Sequence, residues 1–239
     1  MSSVVFSIVL PCYNEARNLP PLLERYHEVW QDLPAELILV DNGSTDDTAA
    51  VLARELARPE LGFARSVRVE HNRGYGHGIH TGLLAARGRY LGYSHADQQC
   101  NPADLFTAYH LLMGQADPEK ALVKGKRARR ELGAEIITGT LSAVATAVLG
   151  TLLTDINAQP KVFCRSHLER LTQPPLGFEY DLHVLFEARR AGLRIVSLPV
   201  RFGRRGHGQS KWSFSLASRA RTIRAMLAFV LELRTRRRP

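Results

Sequence analysis

The sequence predicts an α/β fold in which helices flank a mostly parallel, Rossmann-like β-sheet. In the first hundred residues, short β-branched apolar runs alternate with segments whose apolar residues recur at helical spacing. Strands separated by helices pair in parallel through right-handed crossovers. Polar or glycine-rich residues follow each apolar run, as is typical of the ligand-binding edge of such sheets. The length of 239 residues suits one domain of this class, or one domain with an appendage.

Four strands are predicted in the first half, where β-branched and aliphatic residues cluster. They cover residues 4–11, 35–42, 66–71 and 89–95. Three helices connect them, and their residue ranges are 15–33, 43–56 and 76–88. The second of these helices opens with the serine, threonine and aspartate residues that cap helices.

The second half of the chain is less regular. Strands are predicted at 121–127, 159–165 and 193–202, and helices at 132–153 and 179–192. A glycine-rich basic loop, 203–212, follows the last strand. We predict that the folded domain covers residues 1–212 and that residues 213–239 form a basic amphipathic tail helix.

The positive charge belongs to the C-terminal segment. The chain has a net charge of +9, yet residues 201–239 hold 11 Lys and Arg residues against one acid, Glu232. The remaining 21 basic and 22 acidic residues nearly cancel. A basic tail indicates a phosphate-bearing partner, which is nucleic acid, anionic lipid or a phosphorylated substrate. Nucleic acid is not expected, because no aromatic residue follows Phe229 to stack on bases.

No segment is predicted to cross a membrane. As a helix, the apolar stretch 223–233 spans about 16 Å, well below the roughly 30 Å of a bilayer core. The longer stretch 136–153 is rich in Ser, Thr, Ala and Gly, and we interpret it as a buried or interfacial helix. The tail helix either lies on a membrane surface or docks on the domain. The start shows no signal-peptide pattern and the three cysteines are dispersed, so we expect a cytoplasmic protein at the cytoplasmic face of the membrane.

The four strand ends contain the candidate site: "PCYNE", "DNGSTDDT", "HNRGYGHG" and "HADQQ". The first junction lacks glycine, which argues against a dinucleotide-binding Rossmann enzyme, and no Walker lysine motif occurs. A nucleoside diphosphate bound together with a divalent ion fits these strand ends better. A diphosphate that faces carboxylates needs such a cation, and Asp97 is the expected residue to hold it. Tyr13 is expected to cover a base or ribose. Glu15, Asp41 and Asn42 are expected to hydrogen-bond to them.

Four ordered motifs within residues 4–212 resemble glycosyltransferase family 2: "SIVLPCYNEARNLPPLLE", "LILVDNGSTDDTA", "NRGYGHGIHTGLLAARGRYLGYSHADQQCNPADL" and "LPVRFGRRGHGQSKW". They are most similar to the branch of dolichyl-phosphate mannose synthase and polyprenyl-phosphate glycosyltransferases. The resemblance implies a GT-A fold and inverting transfer of a sugar from a GDP- or UDP-sugar to a polyprenyl or dolichyl phosphate. It also implies Mg²⁺ or Mn²⁺ as the cofactor.

The resemblance assigns roles position by position. The residues it implies at the donor nucleotide are Pro11, Tyr13, Glu15, Asp41, Asn42, Gly74 and Gly76. The metal motif D-x-D-x-Q falls on His95, Asp97 and Gln99, with histidine in place of the first acid. The motif R-x-x-G-x-S-K places Arg205, Ser210 and Lys211 beside the donor or acceptor phosphates.

His95 is open to two interpretations. As a metal ligand, an imidazole would shift the preference from Mg²⁺ toward Mn²⁺. As a neutral neighbour of the metal, it would hold a bound water or the ribose. The second interpretation is favoured slightly, because Asp97 and diphosphate oxygens can hold a hard cation while water completes the shell.

The acceptor follows from the chemistry of the nucleophile. A lipid monophosphate is already anionic and needs cations, which "VKGKRARR" (123–130) and the loop 203–212 supply. A sugar hydroxyl needs a general base instead, and Asp181 is the candidate. Asp97, Arg205 and Lys211 complete the predicted catalytic set.

A third hypothesis, from another class, is a non-catalytic nucleotide-sugar or nucleic-acid binding module. The sugar, the base and the oligomeric state stay open.

Overall fold

The computed structural model describes residues 4–128, 132–203, 205–206 and 216–236. Two members of the predicted site, Ser210 and Lys211, lie outside these residues. The described part of the chain contains seven strands and eight α-helices. The strands are β1 (Phe6–Cys12), β2 (Ala35–Asn42), β3 (Ala64–Val69), β4 (Tyr90–Tyr93), β5 (Ala121–Arg127), β6 (Lys161–Cys164) and β7 (Arg194–Val200). The helices are α1 (Leu19–Val29), α2 (Thr48–Glu55), α3 (Tyr75–Ala85), α4 (Ala103–Met113), α5 (Leu132–Leu149), α6 (Arg165–Leu168), α7 (Tyr180–Arg190) and α8 (Leu216–Arg236).

The strands form one seven-stranded sheet in the order β3-β2-β1-β4-β6-β5-β7. β6 runs antiparallel to both of its neighbours, and the other pairs are parallel. The predicted α/β fold with a mostly parallel sheet is therefore confirmed. β2 and β4 lie on opposite sides of β1, so the connections diverge there and open a crevice beyond the carboxyl ends of β1 and β4.

Helices cover both faces of the sheet, which is why its central strands read as nearly continuous apolar runs. On one face, Val9 and Ile38 are fully buried and pack with residues of α3, α5, α7 and α8. On the other face, Ile8 and Leu10 pack with residues of α1, α2 and α4. Successive side chains of β1 thus enter opposite layers. The two layers hold the strands whose carboxyl ends line the crevice.

Two helix boundaries differ from the prediction, at positions where proline begins a helix or glycine ends one. α1 begins at Leu19 rather than at residue 15, with prolines in its first turn, where a missing N–H costs little. α5 ends at Leu149 rather than at residue 153, because Gly150 follows with a left-handed φ of 61°. α4 was not predicted at all. Its buried Leu105, Tyr109 and Leu112 recur at helical spacing, so the sequence contained that signal.

The tail helix α8 packs against α5 along one face. The buried residues of that face are Met226, Phe229, Val230 and Leu233. On the other side, Leu231 is 59% exposed and Leu227 is 36% exposed. The tail is thus docked on the domain, with two leucines facing solvent. Among the described helices, none is long and apolar enough to cross a bilayer.

Candidate active site

The loops after β1 and β2 are joined by Asn14. Its φ of 57° is a left-handed conformation that asparagine tolerates better than most residues. The Asn14 N–H donates to Oγ of Ser44 at 3.1 Å, and the Thr45 N–H donates to Oδ1 of Asn14 at 2.8 Å. The sequence motif contains Asn14 without indicating this bridging role. The bridge fixes the relative position of two strand ends that border the crevice.

Glu15 lies in the crevice with 7% of its surface exposed. Its backbone N–H donates to Oγ1 of Thr48 at 2.9 Å, which ties it to the start of α2. Its carboxylate accepts hydrogen bonds from Nδ2 of Asn18 and, at 2.6 Å, from Nη2 of Arg205. Burial raises the pKa of Glu15, although both donors act to lower it. A buried carboxyl group with a raised pKa and a specific cationic partner is typical of functional sites.

β2 ends in two buried side chains with different contacts. Asp41 accepts a hydrogen bond from the Ser44 N–H at 3.0 Å, and its Oδ2 lies 3.9 Å from Nε of Arg68. Asn42 donates from Nδ2 to the carbonyl oxygen of Gly74 at 2.9 Å. Asn42 Oδ1 has no hydrogen-bond partner among the described residues. Asn42 therefore holds the turn before α3, and a nucleotide contact of either residue stays a prediction.

The turn into α3 requires glycine at two positions. Gly74 has a φ of 124°, and a Cβ there would collide with the carbonyl oxygen of Leu176. A Cβ on Gly76 would lie 2.7 Å from Cβ of Tyr180 and 2.8 Å from the carbonyl oxygen of Gly177. Both glycines thus allow α3 to approach the segment before α7. Their predicted place beside the donor stays a prediction.

The loop after β4 brings Asp97 to the same edge of the sheet. Asp97 is 8% exposed, and its Oδ1 accepts a hydrogen bond from the Gln99 N–H at 3.1 Å. Its Oδ2 lies 3.6 Å from Nη1 of Arg205. Gln99 donates from Nε2 to the carbonyl oxygen of Gly203 at 3.2 Å. The structure therefore brings Glu15, Asp97 and Arg205 together, although Arg205 is 190 residues from Glu15.

The donor set at this loop fits a divalent ion that is completed by a nucleotide. Among the described residues, no group of three or more His, Cys, Asp or Glu side chains could hold a metal ion alone. Asp97 offers a carboxylate, and the guanidinium of Arg205 beside it shows that a cation is favourable there. Mg²⁺ is usually held by one or two carboxylates together with substrate phosphates. Asp97 with Gln99 therefore suits Mg²⁺ or Mn²⁺ bound through a diphosphate.

His95 is packed among aromatic rings. Its ring centre lies 5.6 Å from that of Tyr75 and 6.3 Å from that of Phe202. Burial lowers the pKa of His95, and the opposing effect of Asp97 is smaller. The imidazole is therefore neutral near pH 7. A neutral imidazole can ligate a metal as well as lie beside one, so the neighbouring role that the sequence slightly favours stays a prediction.

We expect His95→Asp to leave the ratio of Mg²⁺-supported to Mn²⁺-supported activity unchanged. The new carboxylate would sit among the rings of Tyr75 and Phe202, so we also expect a loss of about 1–3 kcal/mol in the free energy of unfolding. His95→Asn is the matched control, since it adds no charge. Activity assays with each metal and thermal unfolding measure both effects. A strong gain of Mg²⁺ activity in the aspartate variant alone would show that position 95 ligates the metal.

Asp181 lies beneath the loop and is 1% exposed. Its Oδ1 accepts hydrogen bonds from Nζ of Lys161 at 2.6 Å, from the hydroxyl of Tyr93 at 2.8 Å and from Nε2 of Gln159 at 3.1 Å. Lys161 is fully buried, so its ammonium depends on this carboxylate. Gln159 also donates to the hydroxyl of Tyr75, which links the ion pair to the ring beside His95. This geometry does not support a general base that faces an acceptor.

Lys161 and Gln159 received no role from the sequence. Lys161 stands in the short strand "KVFC", where the only signal is a lysine in an otherwise apolar run. A lysine that points into a core needs a buried acid, and Asp181 at the start of α7 is such an acid. Pairing the two from sequence alone would require knowing that α7 packs against β6.

The amino-acid sequence matches the profile of the family described as Glycosyl transferase family 2 over residues 7–156. The chain is 33% identical over 225 residues to an uncharacterized glycosyltransferase of Mycobacterium tuberculosis, covering 90% of this chain and 93% of that protein. It is 28% identical over 248 residues to dodecaprenyl-phosphate galacturonate synthase of Rhizobium johnstonii, covering 100% of this chain and 70% of that protein.

The fold is similar to that of glucosyl-3-phosphoglycerate synthase from Mycobacterium tuberculosis, solved in complex with Mn²⁺ and UDP-glucose. The TM-score is 0.74, covering 96% of this chain and 78% of that chain, at 22% identity. At that identity the likeness concerns the fold alone. It confirms the predicted GT-A architecture.

Proposed function

This chain belongs to glycosyl transferase family 2, and we propose that it transfers a sugar with inversion from a nucleoside-diphosphate donor to a polyprenyl phosphate. The expected donor is a GDP- or UDP-sugar, and the expected place is the cytoplasmic face of a membrane. The similarity to one relative, a dodecaprenyl-phosphate galacturonate synthase, supports this acceptor class. The main support is a cavity that is connected to the loop after β4, the metal loop, which contains His95, Asp97 and Gln99.

A cavity of about 410 Å³ lies between the end of β5 and the helix α5. Lys126 and Arg127 line it together with Asp155, whose Oδ2 accepts the backbone N–H of Arg127 at 2.7 Å. Ala143, Leu152 and Leu153 supply apolar lining. Leu152 is 62% exposed, so the apolar side reaches solvent. Cations next to an open apolar wall suit a phosphate group that carries a hydrocarbon chain. This cavity is the observation on which the proposed acceptor depends.

The basic side of the cavity is connected to the metal loop through Phe202. The guanidinium carbon of Arg127 lies 4.5 Å from the centre of the Phe202 ring. That ring centre lies 6.3 Å from the ring centre of His95, two residues before Asp97. A phosphate bound by Arg127 would therefore lie near the loop that is expected to hold the donor diphosphate.

The proposed reaction is a single displacement. An oxygen of the acceptor phosphate attacks the anomeric carbon while the bond between that carbon and the diphosphate oxygen breaks. The electron pair leaves with the nucleoside diphosphate, and the configuration of the sugar inverts. No proton has to be removed, because a phosphate monoester with a second pKa of about 6 is already ionised near pH 7. A divalent ion held by Asp97 and Gln99 would neutralise charge that develops on the diphosphate.

The chain's own residues take three proposed roles. The residues that border the donor nucleotide are Pro11, Tyr13, Glu15, Asp41, Asn42, Gly74 and Gly76. Lys126 and Arg127 neutralise and orient the acceptor phosphate through charge-assisted hydrogen bonds. Arg205, with Ser210 and Lys211, acts on the donor or acceptor phosphates.

The contacts of Asp181 favour a phosphate acceptor over a hydroxyl acceptor. A hydroxyl would need a base within hydrogen-bond reach of its proton. The carboxylate of Asp181 is instead buried and paired with Lys161. The proposed phosphate acceptor needs cations and no base, and Lys126 and Arg127 meet that need.

The tail helix is proposed to rest on the membrane surface. Leu227 and Leu231 lie one turn apart on its exposed side, and Arg224 and Arg234 are exposed near them. A basic residue near an anionic surface contributes about 1 kcal/mol of attraction. Exposed leucines between arginines suit the interface between headgroups and acyl chains.

The test of the proposed function is transfer of labelled sugar into lipid. The full chain is incubated with Mg²⁺ or Mn²⁺, polyprenyl phosphate and a panel of radiolabelled GDP- and UDP-sugars. We expect label in the organic phase with at least one donor. Label that enters only a soluble glycan or small molecule would support a hydroxyl acceptor. Donor binding without any transfer would support a binding module.

Within that assay, we expect the double variant Lys126→Gln and Arg127→Gln to raise the KM for polyprenyl phosphate at least about tenfold. Hydrogen bonds to charged groups contribute about 1.5–3 kcal/mol each, which is enough for that change. The KM for the donor should stay the same. The control is Arg87→Gln, which removes one exposed arginine side chain and keeps the backbone N–H that donates to Glu36 near the start of β2, at the opposite edge of the sheet. Equal effects of both variants would contradict the acceptor assignment.

A further inference from the structure

The guanidinium of Arg205 bridges two carboxylates that come from different strand ends. Nη2 of Arg205 lies 2.6 Å from Oε1 of Glu15, and Nη1 lies 3.6 Å from Oδ2 of Asp97. The side chains of Glu15 and Asp97 are 9% and 11% exposed, and that of Arg205 is 23% exposed. The arginine therefore neutralises both acids at the point where Asp97 would meet a divalent cation.

The backbone around Arg205 is tied to the same loop. The Gly203 N–H donates to the carbonyl oxygen of Gln99 at 2.8 Å, and the Gly206 N–H donates to that of Asp97 at 3.3 Å. Gly206 also approaches so closely that an added Cβ would lie 2.8 Å from Nε2 of Gln98. Arg205 is thus held at the loop by main-chain contacts on both sides. Its position beside Asp97 does not depend on its side chain alone.

If one carboxylate oxygen of Asp97 contacts both the guanidinium of Arg205 and a divalent metal ion, the two cations repel each other. Oδ1 of Asp97 already accepts the Gln99 N–H, so Oδ2 faces Arg205 and would also face the metal. A bare divalent ion at Asp97 would meet the guanidinium at close range, and like charges in a partly buried site repel strongly. A nucleoside diphosphate changes this balance, because its phosphate oxygens can accept hydrogen bonds from a guanidinium.

We propose that Arg205 makes divalent-metal binding depend on the nucleotide. Without nucleotide, Arg205 occupies the cation position at Asp97 and keeps the affinity for the free metal low. When the nucleoside diphosphate is bound, Arg205 exchanges Asp97 for a phosphate oxygen and leaves Asp97 to the metal. The contact with Asp97 is the longer of the two, so Arg205 can give it up while it stays paired with Glu15. This inference rests on the donor half of the proposed function and is independent of the acceptor.

The test is a titration of the full chain with Mn²⁺, followed by electron paramagnetic resonance, without nucleotide and then with UDP or GDP. We expect the wild type to bind Mn²⁺ weakly alone and more tightly with a nucleotide. Arg205→Gln should bind Mn²⁺ alone about tenfold more tightly, within the range of typical couplings between two sites. The tightening by nucleotide should shrink in that variant by a similar factor. Arg205→Lys retains the charge and should stay close to the wild type.

Arg25→Gln is the matched control. Arg25 contacts the same loop, but it donates to the carbonyl oxygens of Gln98 and Cys100 rather than to carboxylates. This variant removes the same charge and should leave Mn²⁺ affinity unchanged. An equal gain in Arg25→Gln, or no gain in Arg205→Gln, would overturn the proposal. Failure of the lipid assay with these Mn²⁺ results intact would overturn only the proposed acceptor.

Discussion

Asp97→Asn should reduce the rate of sugar transfer on the order of 10²–10³-fold, as removal of a single charge-stabilising group in an active site does. Asparagine retains the size of Asp97 and an oxygen that can accept the Gln99 N–H. It lacks the charge that a divalent cation needs. We therefore expect Mn²⁺ affinity in the presence of UDP or GDP to fall together with activity. The fold should remain, because the lost pair with Arg205 is 3.6 Å long and partly solvated.

The matched control for that variant is Asp104→Asn. Asp104 lies seven residues further along, in the first turn of α4, so the same chemical change is made away from Arg205. We expect near-normal transfer and near-normal Mn²⁺ affinity in the control. Transfer assays, Mn²⁺ titrations and thermal unfolding of both variants give the comparison. Asp97→Asn with activity within a few-fold of the wild type would exclude Asp97 as the metal anchor.

Asp181→Asn should destabilise the protein by about 3–5 kcal/mol, because it leaves the ammonium of Lys161 buried without its counter-charge. Activity should fall with the loss of folded protein. Lys161→Met with Asp181→Asn in one chain removes both charges and should recover most of the stability. The asparagine at 181 can still accept hydrogen bonds from Tyr93 and Gln159. Urea unfolding of the single and double variants measures the recovery.

The double variant also separates two roles of Asp181. If the carboxylate only pairs with Lys161, the refolded double variant should recover transfer together with stability. If it removed a proton from a hydroxyl acceptor, stability would return and the turnover number would stay low. We expect the first result, since three protein donors surround the carboxylate. A stable double variant with unchanged donor binding and no transfer would contradict it.

The architecture was largely predictable from local patterns. β5 was predicted at 121–127 and is found at Ala121–Arg127, because its apolar run is bounded by the turn before it and by bases after it. The common location of the polar strand ends was also predictable, since residues that follow buried parallel strands lie at one edge of the sheet. The antiparallel direction of β6 could not be predicted from the sequence. Its four residues, "KVFC", hold no signal of direction, which depends on the route of the preceding chain.

The character of each site residue was less predictable than its location. Asp97 and Glu15 both follow predicted strands, so their presence at the edge followed from the sequence. The environment of His95 did not, because Tyr75 and Phe202 reach it from α3 and from the segment after β7. The same limit applied to Asp181. A carboxylate at the start of a helix suggests a stabilising charge or a base, and its partner Lys161 is twenty residues away.

The sequence alone determined the alternation of strands and helices, the edge where polar residues gather and the family of the chain. These properties are local, since they depend on periodicity and on short motifs whose residues are neighbours in the chain. Only the tertiary structure determined that Arg205 pairs with both Glu15 and Asp97 and that Lys161 forms a buried ion pair with Asp181. Such pairs depend on how distant strands and helices pack, and an ion pair between residues 15 and 205 leaves no periodic trace in the sequence.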